Sequence, residues 1–112
     1  MIIKLEESDG IQIARFTDLP RFTLATTEEV KDLLKPVLSE TGTRMILDLG
    51  NINFIDSSGI GCIIALEKTA KSNGSKMKIT HLSQEVNAVF DLLHLQMILD
   101  IQPDLESALK SF

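Results

Sequence analysis

Residues 45–61 read MILDLGNINFIDSSGIG, and this stretch decides the fold. Its first five residues are apolar apart from Asp48 and predict a buried strand. After a polar loop the chain turns through DSSG at 56–59 into a second apolar run, 60–66, which predicts a helix. The order of strand, turn and helix places two hydroxyls and a carboxylate at a helix N-terminus. Such an end has free backbone N–H groups and the positive pole of the helix dipole, so it favours an anion.

The segments on either side predict a sheet that begins with a hairpin. Residues 2–7 and 11–16 alternate around Asp9-Gly10, a strong hairpin signal, with Ile11, Ile13 and Phe16 expected to point inward. Beyond them, a helix is expected from Thr26, because Thr26 and Glu29 have capping-box spacing, and Pro36 is expected to bend or split it.

After the central strand, the pattern predicts alternating helices and strands. The helix from Ser58 should bury Ile60, Ile63 and Ile64 and expose Glu67, Lys68 and Lys71. A half-exposed strand at 76–80, a helix capped by Ser83, a strand at 97–101 and a helix beginning at Pro103 follow. The predicted fold class is therefore α/β, with a mixed β-sheet (an N-terminal hairpin, then parallel strands) covered by about four α-helices.

Residues 46–61 also carry a family resemblance. The hexapeptide DSSGIG at 56–61, preceded by ILDL at 46–49 and FI at 54–55, resembles the signature of STAS domains. Within those domains it most resembles the stand-alone bacterial anti-sigma factor antagonists. Element order and length agree over nearly the whole chain, although only the hexapeptide and the preceding strand are specific. The resemblance implies that residues 1–112 form a single STAS domain.

The resemblance implies a signalling protein rather than an enzyme. In that family the first Ser after the Asp accepts a phosphate from an anti-sigma factor that is also a serine kinase, which implies phosphorylation of Ser57 here. The unphosphorylated protein would bind the anti-sigma factor and release a sigma factor, in a partner-switching cycle that a serine phosphatase resets. The implied partner-binding residues are Asp56, Ser57, Ser58, Gly59, Ile60, Thr23 and Lys68.

One loop departs from the family pattern. Many antagonists carry an acid in the loop before the first helix, where this chain has Arg21-Phe22-Thr23. Thr23 stands in place of that acid. In the family fold this loop flanks the phosphoacceptor turn, so the contact with the kinase is expected to differ in detail here.

Other interpretations of the turn stay open. Asp and Ser both accept hydrogen bonds from backbone N–H groups, so DSSG is also typical of a plain capped turn. A serine hydrolase would need a base near Ser57, and only His81 and His94 are available, without a G-x-S-x-G elbow. The alternative function is a STAS adaptor module in another assembly, such as a lipid-transport complex or a stress-sensing complex.

Composition argues against several partners and cofactors. The net charge is −5, there is no basic cluster and there is no Trp or Tyr, so direct nucleic-acid binding is not expected. No apolar run reaches membrane-spanning length and the first residues are no signal peptide, which predicts a cytoplasmic protein without membrane insertion. Cys62 is expected to be a small buried hydrophobe. Asp48 has no convergent partners and Gly59-Ile60-Gly61 is no dinucleotide fingerprint, so neither a metal nor a cofactor is predicted.

Overall fold

A computed structural model describes residues 2–17 and 20–112 of the chain. Within them, strands and helices alternate after an opening hairpin. In chain order the elements are β1 (Ile3–Ser8), β2 (Ile11–Phe16), β3 (Arg21–Phe22), α1 (Leu24–Leu38), β4 (Arg44–Asp48), β5 (Phe54–Ile55), α2 (Ser57–Ser72), β6 (Lys76–Thr80), α3 (Gln84–Leu92), a 3₁₀ turn (Leu95–Met97), β7 (Asp100–Gln102) and α4 (Leu105–Lys110).

Five of these strands form one mixed sheet in the order β1-β2-β4-β6-β7. Strands β1 and β2 are antiparallel, and every later pair in this sheet is parallel. The hairpin turn has φ of 51° at Asp9 and 79° at Gly10, the left-handed backbone that Asp-Gly adopts readily in a two-residue loop. The predicted α/β fold, with a hairpin followed by parallel strands and four covering helices in the described chain, is confirmed.

Helices bury both faces of the sheet. Helices α1, α2 and α3 cover one face, where the main core includes Phe16, Leu47 and Ile79. On the other face, the short helix α4 packs through Ala108 against Ile11 and Ile46. The hairpin residues expected to point inward are all buried, but Ile11 and Phe16 belong to opposite faces because β2 is covered on both sides.

Strand β6 differs from its predicted half-exposed alternation. Residues 77–80 are all buried, because β6 lies between β4 and β7 and has helices over both faces. Its one buried charge, Lys78, forms an ion pair with Asp100 of β7. The ammonium also lies 4.9 Å from the centre of the Phe112 ring. An alternating sequence therefore occupies a central strand because the buried amine has a carboxylate and a ring as partners.

Helix α1 begins earlier than its capping-box pattern indicated. It starts at Leu24, and Thr26 lies in its first turn with its hydroxyl donating to the Thr23 carbonyl. Pro36 lies in the last turn of an unbroken helix that ends at Leu38. A proline this close to the end leaves the helix continuous, although it removes one backbone N–H.

Helix α2 buries a stripe that is shifted relative to the predicted one. Ile63 is buried as predicted, but Cys62 and Leu66 are buried with it. Ile60 and Ile64 are only half-buried at the margin of the core. The Cys62 prediction is confirmed, since its thiol is 1% exposed.

The C-terminal elements differ from the prediction at two boundaries. The predicted strand 97–101 is wrong in its first half, because the chain forms a 3₁₀ turn there and pairs with β6 only from Asp100. Helix α4 begins at Leu105, capped by Asp104 rather than started by Pro103. Ser83 caps α3 as predicted. Of the helices within the described ranges, none has the length and apolar content needed to cross a membrane.

Candidate functional site

The turn before α2 is organised by the carboxylate of Asp56. Asp56 has extended backbone angles and is the N-cap residue of α2. Its Oδ1 accepts a hydrogen bond from the Gly59 N–H at 2.9 Å, and its Oδ2 accepts one from the Leu24 N–H at 3.3 Å. The same carboxylate therefore caps α2 and binds the first residue of α1, which brings two helix N-termini to one place.

Ser57 is the first residue of α2 and is exposed to solvent. Within the described residues its hydroxyl has no hydrogen-bond partner. Ser58, the next residue, is half-buried. The capped-turn interpretation thus holds for Asp56, which supplies the cap, while the Ser57 hydroxyl is left free for another role.

Gly59 allows the loop before α1 to approach α2 closely. A Cβ atom at this position would lie 2.5 Å from the Phe22 carbonyl oxygen and 2.8 Å from Cγ1 of Ile55. The backbone adds a second link, because the Asp56 N–H donates to the Phe22 carbonyl at 3.2 Å. Any side chain at 59 would separate the two segments, so glycine is required by packing rather than by backbone conformation.

Thr23 lies at this junction, but its side chain does not cap α1. It is the N-cap residue of α1, without a side-chain capping bond, and is half-buried. Its carbonyl accepts from the backbone N–H of Thr26 at 3.0 Å and from the Thr26 hydroxyl at 3.1 Å. The predicted neighbourhood of Thr23 and the Ser57 turn is present, and the Asp56–Leu24 bond holds it together.

Two apolar side chains beside the turn were not predicted. Leu24 is 71% exposed and Phe54 is 44% exposed. The guanidinium of Arg21 lies 4.3 Å from the centre of the Phe54 ring, within cation–π distance. Arg21 meets Phe54 because β3 pairs with β5 in parallel, a two-residue ladder too short to predict from sequence, and the Asp56 bond holds Leu24 beside them. Ser57 is therefore next to an exposed surface with apolar and basic side chains.

The other two predicted contact residues lie farther along α2. Ile60 is half-buried against the core. Lys68 is exposed, as predicted, and is eleven positions from Ser57, or roughly 16 Å along the helix axis. Lys68 is therefore not part of the turn itself and could contact only a partner that covers several turns of α2.

The histidines are not arranged as bases for Ser57. The Nδ1 atom of His81 lies 3.0 Å from the Thr80 hydroxyl and 3.4 Å from Oδ1 of Asp48. Asp48 and Thr80 lie on the α4 face of the sheet, whereas Ser57 begins a helix on the opposite face. His94 is an exposed residue in the turn after α3. This geometry does not support the hydrolase interpretation, since no described hydrogen bond joins either ring to Ser57.

Asp48 orders the start of the loop that leads to the site. One carboxylate oxygen accepts from the Gly50 N–H at 2.8 Å, and the other accepts from Nε of Arg15 at 3.2 Å. In the described part of the chain, no group of three or more His, Cys, Asp or Glu side chains is placed to hold a metal ion.

Comparisons with known proteins identify the family of the chain. The model of the STAS domain family matches residues 3–108. An anti-sigma-B factor antagonist of Bacillus subtilis is 29% identical over 73 residues, which cover 65% of this chain and 67% of that protein.

Two solved structures show the same fold. An anti-sigma-factor antagonist (STAS) domain protein from Planctomyces limnophilus matches with a TM-score of 0.87 at 16% identity, covering 97% of this chain and 96% of that one. An anti-sigma factor antagonist from Mycobacterium paratuberculosis matches with a TM-score of 0.84 at 16% identity, covering 97% and 91%. At such low identity these two likenesses bear on the fold alone.

Proposed function

The chain belongs to the STAS domain family, and we propose that it is an anti-sigma factor antagonist whose binding is switched off by phosphorylation of Ser57. The observation that carries the proposal is the exposed hydroxyl of Ser57 at the N-terminus of α2, free of hydrogen bonds within the described residues. The similarity to curated anti-sigma-B factor antagonists supports the class of partner.

The unphosphorylated surface is suited to bind a protein. Leu24 and Phe54 expose apolar area beside Ser57, and Arg21 adds a positive charge over the Phe54 ring. Exposed aromatic and arginine side chains are the types that most often anchor protein interfaces. In this proposal the anti-sigma factor covers these residues together with the Asp56–Ile60 turn, and a longer contact along α2 reaches Lys68.

A phosphate on Ser57 would affect the interface more than the fold. It adds about −1.5 to −2 charge at the surface. The N-terminus of α2 favours that charge by about 0.3–1 kcal/mol, offset in part by repulsion from Asp56. A partner that fits a neutral hydroxyl must instead desolvate a dianion, and a loss of about 3–4 kcal/mol weakens binding by two to three orders of magnitude.

The protein itself catalyses no step of this cycle. The anti-sigma factor acts as the serine kinase and a serine phosphatase removes the phosphate, so both reactions belong to partners. In this proposal the protein acts in the cytoplasm together with those partners.

The decisive experiment incubates the protein with the anti-sigma factor kinase and ATP, followed by intact-mass and peptide mass spectrometry. One phosphate on Ser57 is expected. Ser57→Ala should bind the kinase and resist release, whereas Ser57→Asp should fold normally and bind at least a hundredfold more weakly. Ser58→Ala is the matched control and should remain phosphorylatable. A phosphate on Ser58, or wild-type binding by Ser57→Asp, would overturn the proposal.

A further inference from the structure

Strand β6 has no neighbour on one side at its start. The ladder between β6 and β7 begins at the pair Lys78 and Asp100. Continued backward by two residues, the same register would place Ile98 beside the first residue of β6. Ile98 instead donates its N–H to the Leu95 carbonyl at 3.0 Å, because the chain there is still in the 3₁₀ turn. The start of β6 is therefore an open edge of the sheet.

Two backbone groups point out of this open edge without a partner. The Lys76 N–H donates to the Thr43 carbonyl at 2.8 Å, on the β4 side. A peptide unit is planar and trans, so the Ser75 carbonyl points the opposite way. In a parallel ladder the next residue turns its N–H to the other neighbour, so the Met77 N–H points out of the open edge as well. Neither group forms a hydrogen bond within residues 2–17 and 20–112.

These two groups border a cleft of about 390 Å³ between α2, β6 and the start of β7. The residues that line it are Glu67, Lys71, Gly74, Ser75, Lys76, Met77, Lys78 and Asp100. Ser75 and Met77 are only 5% and 3% exposed, so their free backbone groups lie inside the cleft rather than on an open surface. Buried backbone groups are nearly always paired, so the cleft favours a molecule that supplies one donor and one acceptor.

The charges around the cleft favour an anion. Three lysines and two acids line it, and Lys78 and Asp100 form an ion pair with each other. Lys71 and Lys76 then stand against Glu67 alone, which leaves one positive charge in excess. Neither of these two lysines forms a salt bridge in the described part of the chain. Glu67 lies one helical turn before Lys71, and desolvation raises its pKa, with Lys71 opposing the rise and Asp100 adding to it.

We infer that this cleft binds a ligand that ends in an extended amino-acid residue with a free carboxylate, as an acylated amino acid or the carboxyl terminus of a polypeptide does. The terminal residue takes the place that Ile98 would have in a continued ladder. Its N–H donates to the Ser75 carbonyl and its carboxylate accepts from the Met77 N–H. Lys71 and Lys76 supply the opposite charge. The ligand ends there because β7 occupies the next positions of the ladder.

Other occupants match fewer of these groups. A simple carboxylate such as acetate can accept from the Met77 N–H, but it has no N–H for the Ser75 carbonyl. A peptide strand that continued past the cleft would collide with β7. A metal cation would be repelled by the excess positive charge. The terminal residue of a peptide is the occupant that matches the donor, the acceptor and the charge together.

The cleft is separate from the Ser57 turn. Ser57 begins α2 at the edge of the sheet where the parallel strands end, whereas the cleft lies where β6 begins. Lys71 is fourteen positions after Ser57 on α2, or roughly 21 Å along the helix axis. A ligand in the cleft therefore leaves the proposed phosphorylation site uncovered.

The test follows the backbone amide signal of Met77 by NMR in the isotopically labelled full chain. The probes are acetyl-trialanine with a free carboxylate, the same peptide ending in a carboxamide, acetyl-alanine and acetate. The protein variants are Lys71→Gln, Lys76→Gln and Glu67→Gln. Lys35→Gln is the matched control, because Lys35 is exposed on α1 and does not line the cleft. The same spectra show whether each variant is folded.

The inference predicts a saturable shift of the Met77 signal with the free-carboxylate peptide, tested up to about 10 mM so that millimolar dissociation constants are detected. The carboxamide peptide and acetate should each bind at least tenfold more weakly. Lys71→Gln and Lys76→Gln should each weaken binding severalfold, and Glu67→Gln should strengthen it by removing a like charge. Lys35→Gln should bind as the wild type does.

Three results would overturn the inference. They are the lack of a saturable shift at Met77, equal binding of the carboxamide peptide, and acetate binding as tightly as the peptide, which would indicate a site for simple anions. Acetyl-alanine distinguishes the two sources of the ligand, since affinity equal to that of the peptide indicates an acylated amino acid and weaker binding indicates a polypeptide terminus. Ser57→Asp should bind the peptide like the wild type, so failure here leaves the antagonist proposal standing, and the converse also holds.

Discussion

The carboxylate of Asp56 accepts a hydrogen bond from the backbone N–H of Leu24 at 3.3 Å, across 32 residues of sequence. Its second oxygen caps the helix that follows, through the Gly59 N–H. One side chain thus fixes the start of α1 relative to the start of α2. Ser57 follows Asp56 directly as the first residue of α2, so the position of the proposed phosphorylation site depends on a residue that is not modified itself.

Removing this carboxylate should destabilise the fold more than removing an ordinary cap. Ser83 is the comparison, since its hydroxyl caps α3 through the single bond to the Val86 N–H. Ser83→Ala should cost about 1 kcal/mol of unfolding free energy and Asp56→Ala about 2 kcal/mol, because it leaves the ends of two helices uncapped. Urea unfolding followed by circular dichroism measures both. Equal losses would show that the bond to Leu24 contributes nothing.

The two glycines at the start of α2 should respond oppositely to alanine. At Gly59 a Cβ atom would meet the Phe22 carbonyl oxygen at 2.5 Å, so Gly59→Ala forces the backbones apart and should cost about 1–3 kcal/mol. At Gly61 an added Cβ atom would meet no described atom within 4 Å outside the helix's own backbone, so Gly61→Ala should stabilise by about 0.5–1 kcal/mol through helix propensity. Thermal unfolding of the two variants checks both signs, and a neutral Gly59→Ala would contradict the close approach of β3.

Predictions that depended on local chemistry agree with the structure. The Asp9-Gly10 hairpin, the Ser83 cap and the DSSG turn are each specified by neighbouring residues, and all three are present. The capping-box spacing of Thr26 and Glu29 is an exception. It misplaced the start of α1 because Asp56, remote in sequence, supplies an acceptor for the first N–H group of that helix.

Predictions that depended on contacts between residues remote in sequence were less accurate. The pattern of residues 76–80 indicated a half-exposed strand, since the sequence around Lys78 does not show that Asp100 and Phe112 will meet its ammonium group. At the candidate site, DSSG located the turn, but Arg21 reaches it through the β3–β5 pairing and Leu24 through its bond to Asp56. No periodic signal marks a two-residue ladder, so these contacts could not be predicted.

The Cys62 thiol should be unreactive in the folded protein. It is 1% exposed, and desolvation by burial raises its pKa to about 11. A thiol reagent at neutral pH should therefore label it rapidly only after unfolding in urea. Because the folded state retains the proton that the unfolded state loses first, stability should also fall as the pH rises from about 9 toward 11. Cys62→Ala should lack that alkaline decline, and rapid labelling of the native protein would contradict the buried assignment.

Removing only Asp100 from its ion pair with Lys78 should cost more stability than replacing both charged residues. The Lys78 side chain is 8% exposed, so Asp100→Ala leaves a buried ammonium without its carboxylate. We expect a loss of about 1–3 kcal/mol, below that of a fully buried pair because the Asp100 side chain is 44% exposed. Adding Lys78→Met should recover part of this loss, since Met packs in the same space without a charge. A double variant less stable than Asp100→Ala alone would show that the ammonium keeps other favourable contacts.

The same pair should make stability depend on pH at the acid end. Desolvation raises the pKa of Asp100. Hydrogen bonds from Lys78 and Gln102, together with the Lys78 charge, lower the pKa by more than desolvation raises it, so the net shift is downward. A carboxyl group with a depressed pKa in the folded state contributes stability above its unfolded value of about 3.9, and this contribution is lost as the pH falls through the folded value. Urea midpoints measured from about pH 6 downward should therefore fall less steeply for Asp100→Asn than for the wild type. Glu40→Gln is a control for general acid effects, because Glu40 is exposed in the turn after α1 and forms no described ion pair with Lys78. Identical acid slopes for the wild type and Asp100→Asn would show that water, rather than Lys78, stabilises the Asp100 charge.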